Sequence, residues 1–178
     1  MTSGALSRRA VVRCAGSALA ASALSRYAWA QTPAPFFDLP VWDLASQAPH
    51  VQQRLSLDNL RGRWVYLDFW ASWCGPCRQS FPWMNEFSQR MAPHHLAVVA
   101  IGLDTRAEPM ARFLAQHKPR FVVLWDAQQT TPAPYQVQAM PSSYLIAPQG
   151  RIAWTHRGFA PSDAAGIEAS VRQKMGLA

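Results

Sequence analysis

The run Trp64-Val65-Tyr66-Leu67-Asp68-Phe69-Trp70 is almost wholly apolar and aromatic, and it leads within a few residues into Trp73-Cys74-Gly75-Pro76-Cys77. An uninterrupted apolar run of this length reads as a strand buried on both faces. After the cysteine pair, Phe81, Met84, Phe87 and Met91 recur at spacings of three and four, the stripe of a helix laid on a core. The chain must therefore fold around a buried strand that turns straight into a helix, with two cysteines at the joint. Around this unit the pattern predicts strands over 36–44, 51–57, 96–103, 121–125, 142–147 and 151–156. It predicts helices over 77–91, 108–117 and 164–175, and a loop or short helix over 130–139 interrupted by Pro132 and Pro134. Strands alternating with helices and closing on a hairpin argue for an α/β domain with a mixed sheet. No internal repeat or linker divides residues 31–178, which are expected to form one domain.

The first thirty residues read differently. Arg8, Arg9 and Arg13 precede an uncharged Ala- and Leu-rich stretch over 14–25, and Ala28-Trp29-Ala30 has the small-x-small pattern of a cleavage site. That pattern predicts a cleavable export signal over 1–30, and Ser7-Arg8-Arg9 resembles a twin-arginine start. The apolar stretch is shorter than the roughly 20 residues that span a bilayer, so the mature chain is not expected to span a membrane. The net charge of +7 includes four arginines of this segment, leaving a mild excess spread over the rest. Such a surface does not call for a nucleic-acid partner. Beyond Cys14, inside the presumed signal, the only cysteines are Cys74 and Cys77. A close pair in an oxidising compartment points to redox chemistry rather than a structural framework.

The position of the pair gives it chemistry. The first turn of a helix presents unpaired N–H groups and about half a positive charge. A thiolate at Cys74 is stabilised there, and the thiolate is what attacks a disulfide. Pro76 suits a helix start, where its missing N–H would be unpaired anyway. Cys77 lies one turn further in, placed to attack Cys74 once a mixed disulfide has formed. A Cys-x-x-Cys can also be half of a zinc site, but no second pair completes four ligands. Arg78 stands where a haem-attachment motif needs His. No metal and no cofactor is expected.

Tyr66-Leu67-Asp68-Phe69-Trp70-Ala71-Ser72-Trp73-Cys74-Gly75-Pro76-Cys77-Arg78, followed by Pro82, resembles the active-site region of thioredoxins. The lead-in Leu57-Asp58-Asn59-Leu60-Arg61-Gly62-Arg63 and the later Gln138-Ala139-Met140-Pro141-Ser142-Ser143-Tyr144 are similar to the exported TlpA/ResA-type branch. The resemblance implies a thioredoxin fold: a central mixed sheet flanked by helices, with an N-terminal hairpin and a central strand–helix insertion. It implies a redox disulfide between Cys74 and Cys77, and a cis-proline at Pro141 that lets the Met140 backbone pair with an extended client. Trp73, Gly75 and Pro76 join them as substrate contacts. Asp68 matches a buried acid behind the second cysteine, able to exchange a proton with Cys77. Many TlpA-like chains carry an acid where Ser80 stands, and Asn where Asp68 stands.

The resulting expectation is a periplasmic thiol–disulfide oxidoreductase, acting as a reductant fed by a membrane electron donor. Its clients would be proteins with disulfides or dithiols, such as apocytochrome c or copper-site assembly factors. Two alternatives stay open: a peroxiredoxin-like peroxidase, although the Pro-x-x-x-Thr-x-x-Cys signature is absent before Cys74, and a copper chaperone that uses the same thiols.

Overall fold

The computed structural model describes Met1 and residues 32–177, so the expected export signal and Cys14 lie outside the described residues. The elements are β1 (Asp38–Asp43), β2 (Ala48–Ser56), β3 (Trp64–Trp70), α1 (Gly75–Met91), β4 (Leu96–Gly102), α2 (Ala107–His117), β5 (Val122–Trp125), β6 (Ser142–Ile146), β7 (Ile152–Arg157) and α3 (Ala164–Met175). The strands form one seven-stranded sheet in the order β2-β1-β5-β4-β3-β6-β7. The pairs β3–β4 and β4–β5 are parallel. The pairs β1–β2, β1–β5, β3–β6 and β6–β7 are antiparallel. This is the mixed sheet of a thioredoxin fold, with β1 and β2 as the N-terminal hairpin and β4–α2–β5 as the central insertion.

Because side chains alternate along a strand, β3 feeds two cores. Tyr66 and Trp70 point into a cluster with Phe81, Met84, Phe87 and Met91 of α1, Met110, Phe113 and Leu114 of α2, and Ile167 and Val171 of α3. Val65, Leu67 and Phe69 point the other way, where Phe37, Leu57, Leu60 and Tyr135 cover them. The three α-helices of the described residues thus pack on one face of the sheet, and loops and aromatic side chains close the other. Trp70, expected in the core, is 0% exposed and packs edge-on against Phe81. It also crowds Gly102, its partner on β4: a Cβ there would lie 3.3 Å from Trp70 Cζ2 and 2.9 Å from Met110 Cε.

Two local expectations are revised, and of the loop or short helix expected over 130–139 the loop is what forms. α1 begins at Gly75 rather than Cys77, because Cys74 itself caps it. β2 begins at Ala48, so the expected loop around 46–49 shortens to a turn closed by Asp43, which accepts from Ala45 N–H and the Ser46 hydroxyl. Residues 130–139 form turns with no α-helix. Pro82 lies inside α1, which continues through it to Met91.

Candidate active site

α1 starts where β3 ends, and the sulfur chemistry sits at that junction. Cys74 is the helix N-cap in extended conformation, and its Sγ accepts the Cys77 backbone N–H at 3.2 Å. Ser, Thr, Asp and Asn side chains usually fill this role; here a sulfur does. Cys74 and Cys77 are joined as a disulfide with their Cα atoms 5.3 Å apart. The two sulfurs are not equivalent. Cys77 is 0% exposed, whereas Cys74, at 5%, opens onto a groove of about 510 Å³ lined by Trp73, Gly75, Pro76, Leu103 and Met140 among others. Trp73 is 67% exposed on its rim. The first turn of α1 carries no acid, and Ser80 is buried with its hydroxyl donating to the Cys77 carbonyl at 3.1 Å.

The Met140–Pro141 peptide is cis. Pro141 is buried and its carbonyl accepts from Gly158 N–H at 2.8 Å, while Met140 faces the groove. The wall leading to it is pinned from below. Tyr135 Oη donates to the Pro35 carbonyl at 2.7 Å, and Tyr144 Oη to the Tyr135 carbonyl at 2.6 Å. The structure therefore brings Trp73, Cys74, Gly75, Pro76 and Met140 together around one opening, with Pro141 and Cys77 behind it.

Asp68 lies on the β3 face that carries Tyr66 and Trp70 and therefore on the side of Cys77. It is 1% exposed. Its Oδ1 accepts from the Ser143 hydroxyl at 2.7 Å, and its Oδ2 has no partner among the described residues. Burial pushes the carboxyl up to about 7, and the Ser143 hydrogen bond opposes that rise without cancelling it. A carboxyl that titrates near neutrality, buried on the side of a cysteine, can take or give a proton there.

Two acids escaped the sequence reading. Asp104, just past β4, is 4% exposed and accepts from the Ser72 backbone N–H at 2.8 Å and the Ser72 hydroxyl at 2.6 Å. The Ser72 carbonyl in turn accepts from Arg78 at 3.2 Å, so the residue before Trp73 is held from both sides. Asp126, 2% exposed, accepts from the backbone N–H and hydroxyl groups of Thr130 and Thr131 and shapes the approach to the groove wall. Neither stands in a motif, and only the apolar strand preceding each hinted that the acid would sit at a sheet edge. Among the described residues no cluster of three or more His, Cys, Asp or Glu is placed to share a metal. None of their helices is long and apolar enough to cross a membrane.

The AhpC/TSA family matches residues 30–155 of the chain. Thiol-disulfide oxidoreductase ResA of Bacillus subtilis (strain 168) is 28% identical over 100 residues, 56% of this chain and 56% of that protein. Thioredoxin-like protein YneN of the same organism is 34% identical over 109 residues, 60% of this chain and 63% of that protein. The match thus spans somewhat over half the length of these curated relatives. A crystal structure of a candidate thiol:disulfide interchange protein DsbE from Chlorobium tepidum superposes with a TM-score of 0.74 at 39% identity, covering 82% of this chain and 97% of that one.

Proposed function

This chain belongs to the AhpC/TSA family and is similar to proteins named ResA and DsbE, and we propose that it exchanges disulfides with protein clients through Cys74 and Cys77. The observation that carries this reading is the asymmetry of the pair: a helix-capping sulfur that opens onto a groove, and a fully buried one a single turn behind it.

The geometry supports a two-step exchange. The Cys74 thiolate attacks one sulfur of a client disulfide, and the other client sulfur leaves as a thiolate. Cys77 gives its proton to Asp68 and attacks Cys74 Sγ. The mixed disulfide breaks, the second client sulfur leaves, and the Cys74–Cys77 bond forms. Two electrons have passed to the client, and the reverse sequence oxidises a dithiol. Trp73, Gly75, Pro76, Met140 and Pro141 form the client-binding surface, with an extended segment laid beside the Met140 backbone in the manner of strand addition. Acting as a reductant, the protein needs its disulfide re-reduced by a membrane-bound dithiol donor. With residues 1–30 as a cleaved export signal and 31–178 as the working domain, it acts in the periplasm. Apocytochrome c and copper-site cysteines are the clients that suit a reductant there.

A Cys77→Ser variant tests the reading, because the mixed disulfide on Cys74 then cannot be resolved. Disulfide-linked client adducts that vanish on adding dithiothreitol, and that a Cys74→Ser variant does not form, are the expected result. No adduct, together with consumption of hydrogen peroxide by the native protein, would instead establish the peroxidase.

A further inference from the structure

The antiparallel register sets Asp68 of β3 directly opposite Ser143 of β6, and Ser143 opposite His156 of β7. Directly opposed residues in an antiparallel pair carry their Cβ atoms about 4.5–5.5 Å apart on one face. On the other side of Asp68 the same row continues through Ala100 of β4 and Val123 of β5, both apolar. The row is therefore polar in one direction only, and that direction leads to β7, the last strand of the sheet.

Its two ends are incomplete in a matching way. Asp68 Oδ2 and His156 Nε2 are both buried atoms without a hydrogen-bond partner among the described residues. Between them the Ser143 hydroxyl, 3% exposed as a residue, is bonded to Asp68 Oδ1 at 2.7 Å. A hydroxyl is at once donor and acceptor, and a neutral imidazole is too. His156 is only half-buried, its ring stacked on Trp154 at 5.6 Å. A buried unpaired polar atom is unfavourable, so two on one register row call for an explanation that one alone would not.

We infer that Asp68, Ser143 and His156 form one proton path across the sheet, with His156 as its solvent port. The inference rests on Cys77 losing its proton to Asp68 in the proposed exchange. When the reduced pair closes, the Cys77 S–H proton passes to the Asp68 carboxylate. The protonated carboxyl donates to Ser143 Oγ as the Ser143 hydroxyl turns and donates to the His156 ring. The hydroxyl's proton passes to His156 Nε2, the ring releases its Nδ1 proton to water, and exchange with solvent restores the starting tautomer. Each member returns to its starting state, and the net result is one proton moved from Cys77 to solvent. Ser143 and His156 touch neither client nor sulfur and act through Asp68 as positioning and relay residues. The Tyr66 phenol, on the same face of β3, also hydrogen-bonds Ser143. Burial and then the Asp68 charge drive it upward against that hydrogen bond, out of the working range, so it holds the Ser143 hydroxyl without taking the proton. Cys77 is the proton source. α3, which covers β7, turns Ile167 and Val171 inward and holds Glu168 on Arg90 of α1.

The test follows oxidation of the reduced protein by glutathione disulfide through tryptophan fluorescence, from pH 5 to 9 in dilute buffer. The native protein, Ser143→Ala, Ser143→Thr and His156→Gln are compared. The native rate carries an inflection near the Asp68 midpoint of about 7. Ser143→Ala moves that inflection up by about one pH unit, because a hydrogen bond that favours the carboxylate is gone. Ser143→Thr, which keeps a hydroxyl, restores it. His156→Gln slows the closing step roughly tenfold, and added imidazole recovers the rate while leaving the native rate unchanged. An active native protein whose three variants share its profile overturns the path and leaves the exchange standing. So does a His156→Gln rate that imidazole cannot rescue. A native protein inert to glutathione disulfide overturns the exchange itself. Should Ser143→Ala not fold, Ser143→Thr and His156→Gln decide.

Discussion

Asp68 makes the stability of the oxidised protein depend on pH in an unusual sense. A typical native carboxylate is stabilised by folding and lost in acid; Asp68 is raised by burial from 3.8 to about 7. Between those values the folded chain holds a proton that the unfolded chain has released, so stability falls as pH rises through that window. Below the unfolded value the group is neutral in both states and contributes nothing, and above about 7 the whole penalty is present. Asp68→Asn keeps an acceptor for the Ser143 hydroxyl and removes the charge. It is expected to be more stable than the native protein at pH 8, by up to about 4 kcal/mol. The gain shrinks to near zero towards pH 4. Urea melts of the disulfide form at pH 4.5, 6 and 8 measure this, and parallel curves would show that Asp68 does not ionise under strain. The same substitution removes the acceptor for the Cys77 proton, so it is expected to gain stability while slowing exchange.

The loop between β3 and α1 owes its shape to a neighbour across the sheet. Asp104 accepts two hydrogen bonds from Ser72 and, through its own carbonyl, one from Trp125 Nε1 at 2.6 Å. Asp104→Ala leaves the Ser72 N–H and O–H unpaired in a half-buried site and is expected to lower stability by about 2–3 kcal/mol. Ser72→Ala, which loses the hydroxyl bond alone, is expected to lower it by about 1 kcal/mol. Urea denaturation of both separates the backbone contribution from the side-chain one, and equal losses would mean that the Ser72 N–H does not depend on Asp104. Such a tie is hard to read in a sequence, because Ser72 and Asp104 are 32 residues apart and join only once β3 and β4 pair. What could be read was local. The apolar run of β3, the Phe81–Met91 stripe and the hairpin of β6 and β7 each declare themselves by period, and the cysteine pair by its place between two of them. The start of α1 was missed by two residues, because a cysteine is not among the usual caps. The start of β2 was missed because Pro49, a turn former, sits on the sheet's outermost strand, where a proline is tolerated. The position of the N-terminal hairpin beside β5, rather than beside the strands that follow it, depends on long-range pairing alone.

For the molecule as a whole, the direction of exchange is a comparison between two folded states. A strong oxidant is a protein whose reduced form is the more stable, and thioredoxin and DsbA differ by roughly 150 mV, about 7 kcal/mol for two electrons. Several features favour the reduced form here. The Cys77 N–H points at Cys74 Sγ from 3.2 Å, α1 adds its dipole, and its first turn has no acid to offset either. Others favour the disulfide. Cys74 is only 5% exposed, Cys77 is 0% exposed, and the carboxyl on the Cys77 side of β3 is itself pushed upward by burial. A thiolate formed there loses hydration and meets the Asp68 charge, whereas a disulfide is neutral and apolar and fits the same place without loss. The helix terminus acts on one exposed-side sulfur, while burial acts on both, so the disulfide form is expected to be the more stable, in keeping with a reductant. The melting temperature should then drop when the pair is reduced, by about 2–4 °C for each kcal/mol separating the two forms in a chain of this size. Scanning calorimetry of the oxidised protein and of the same sample in dithiothreitol reads the sign directly. A melting temperature that rises on reduction would place the protein with the oxidants and reverse the proposed flow of electrons.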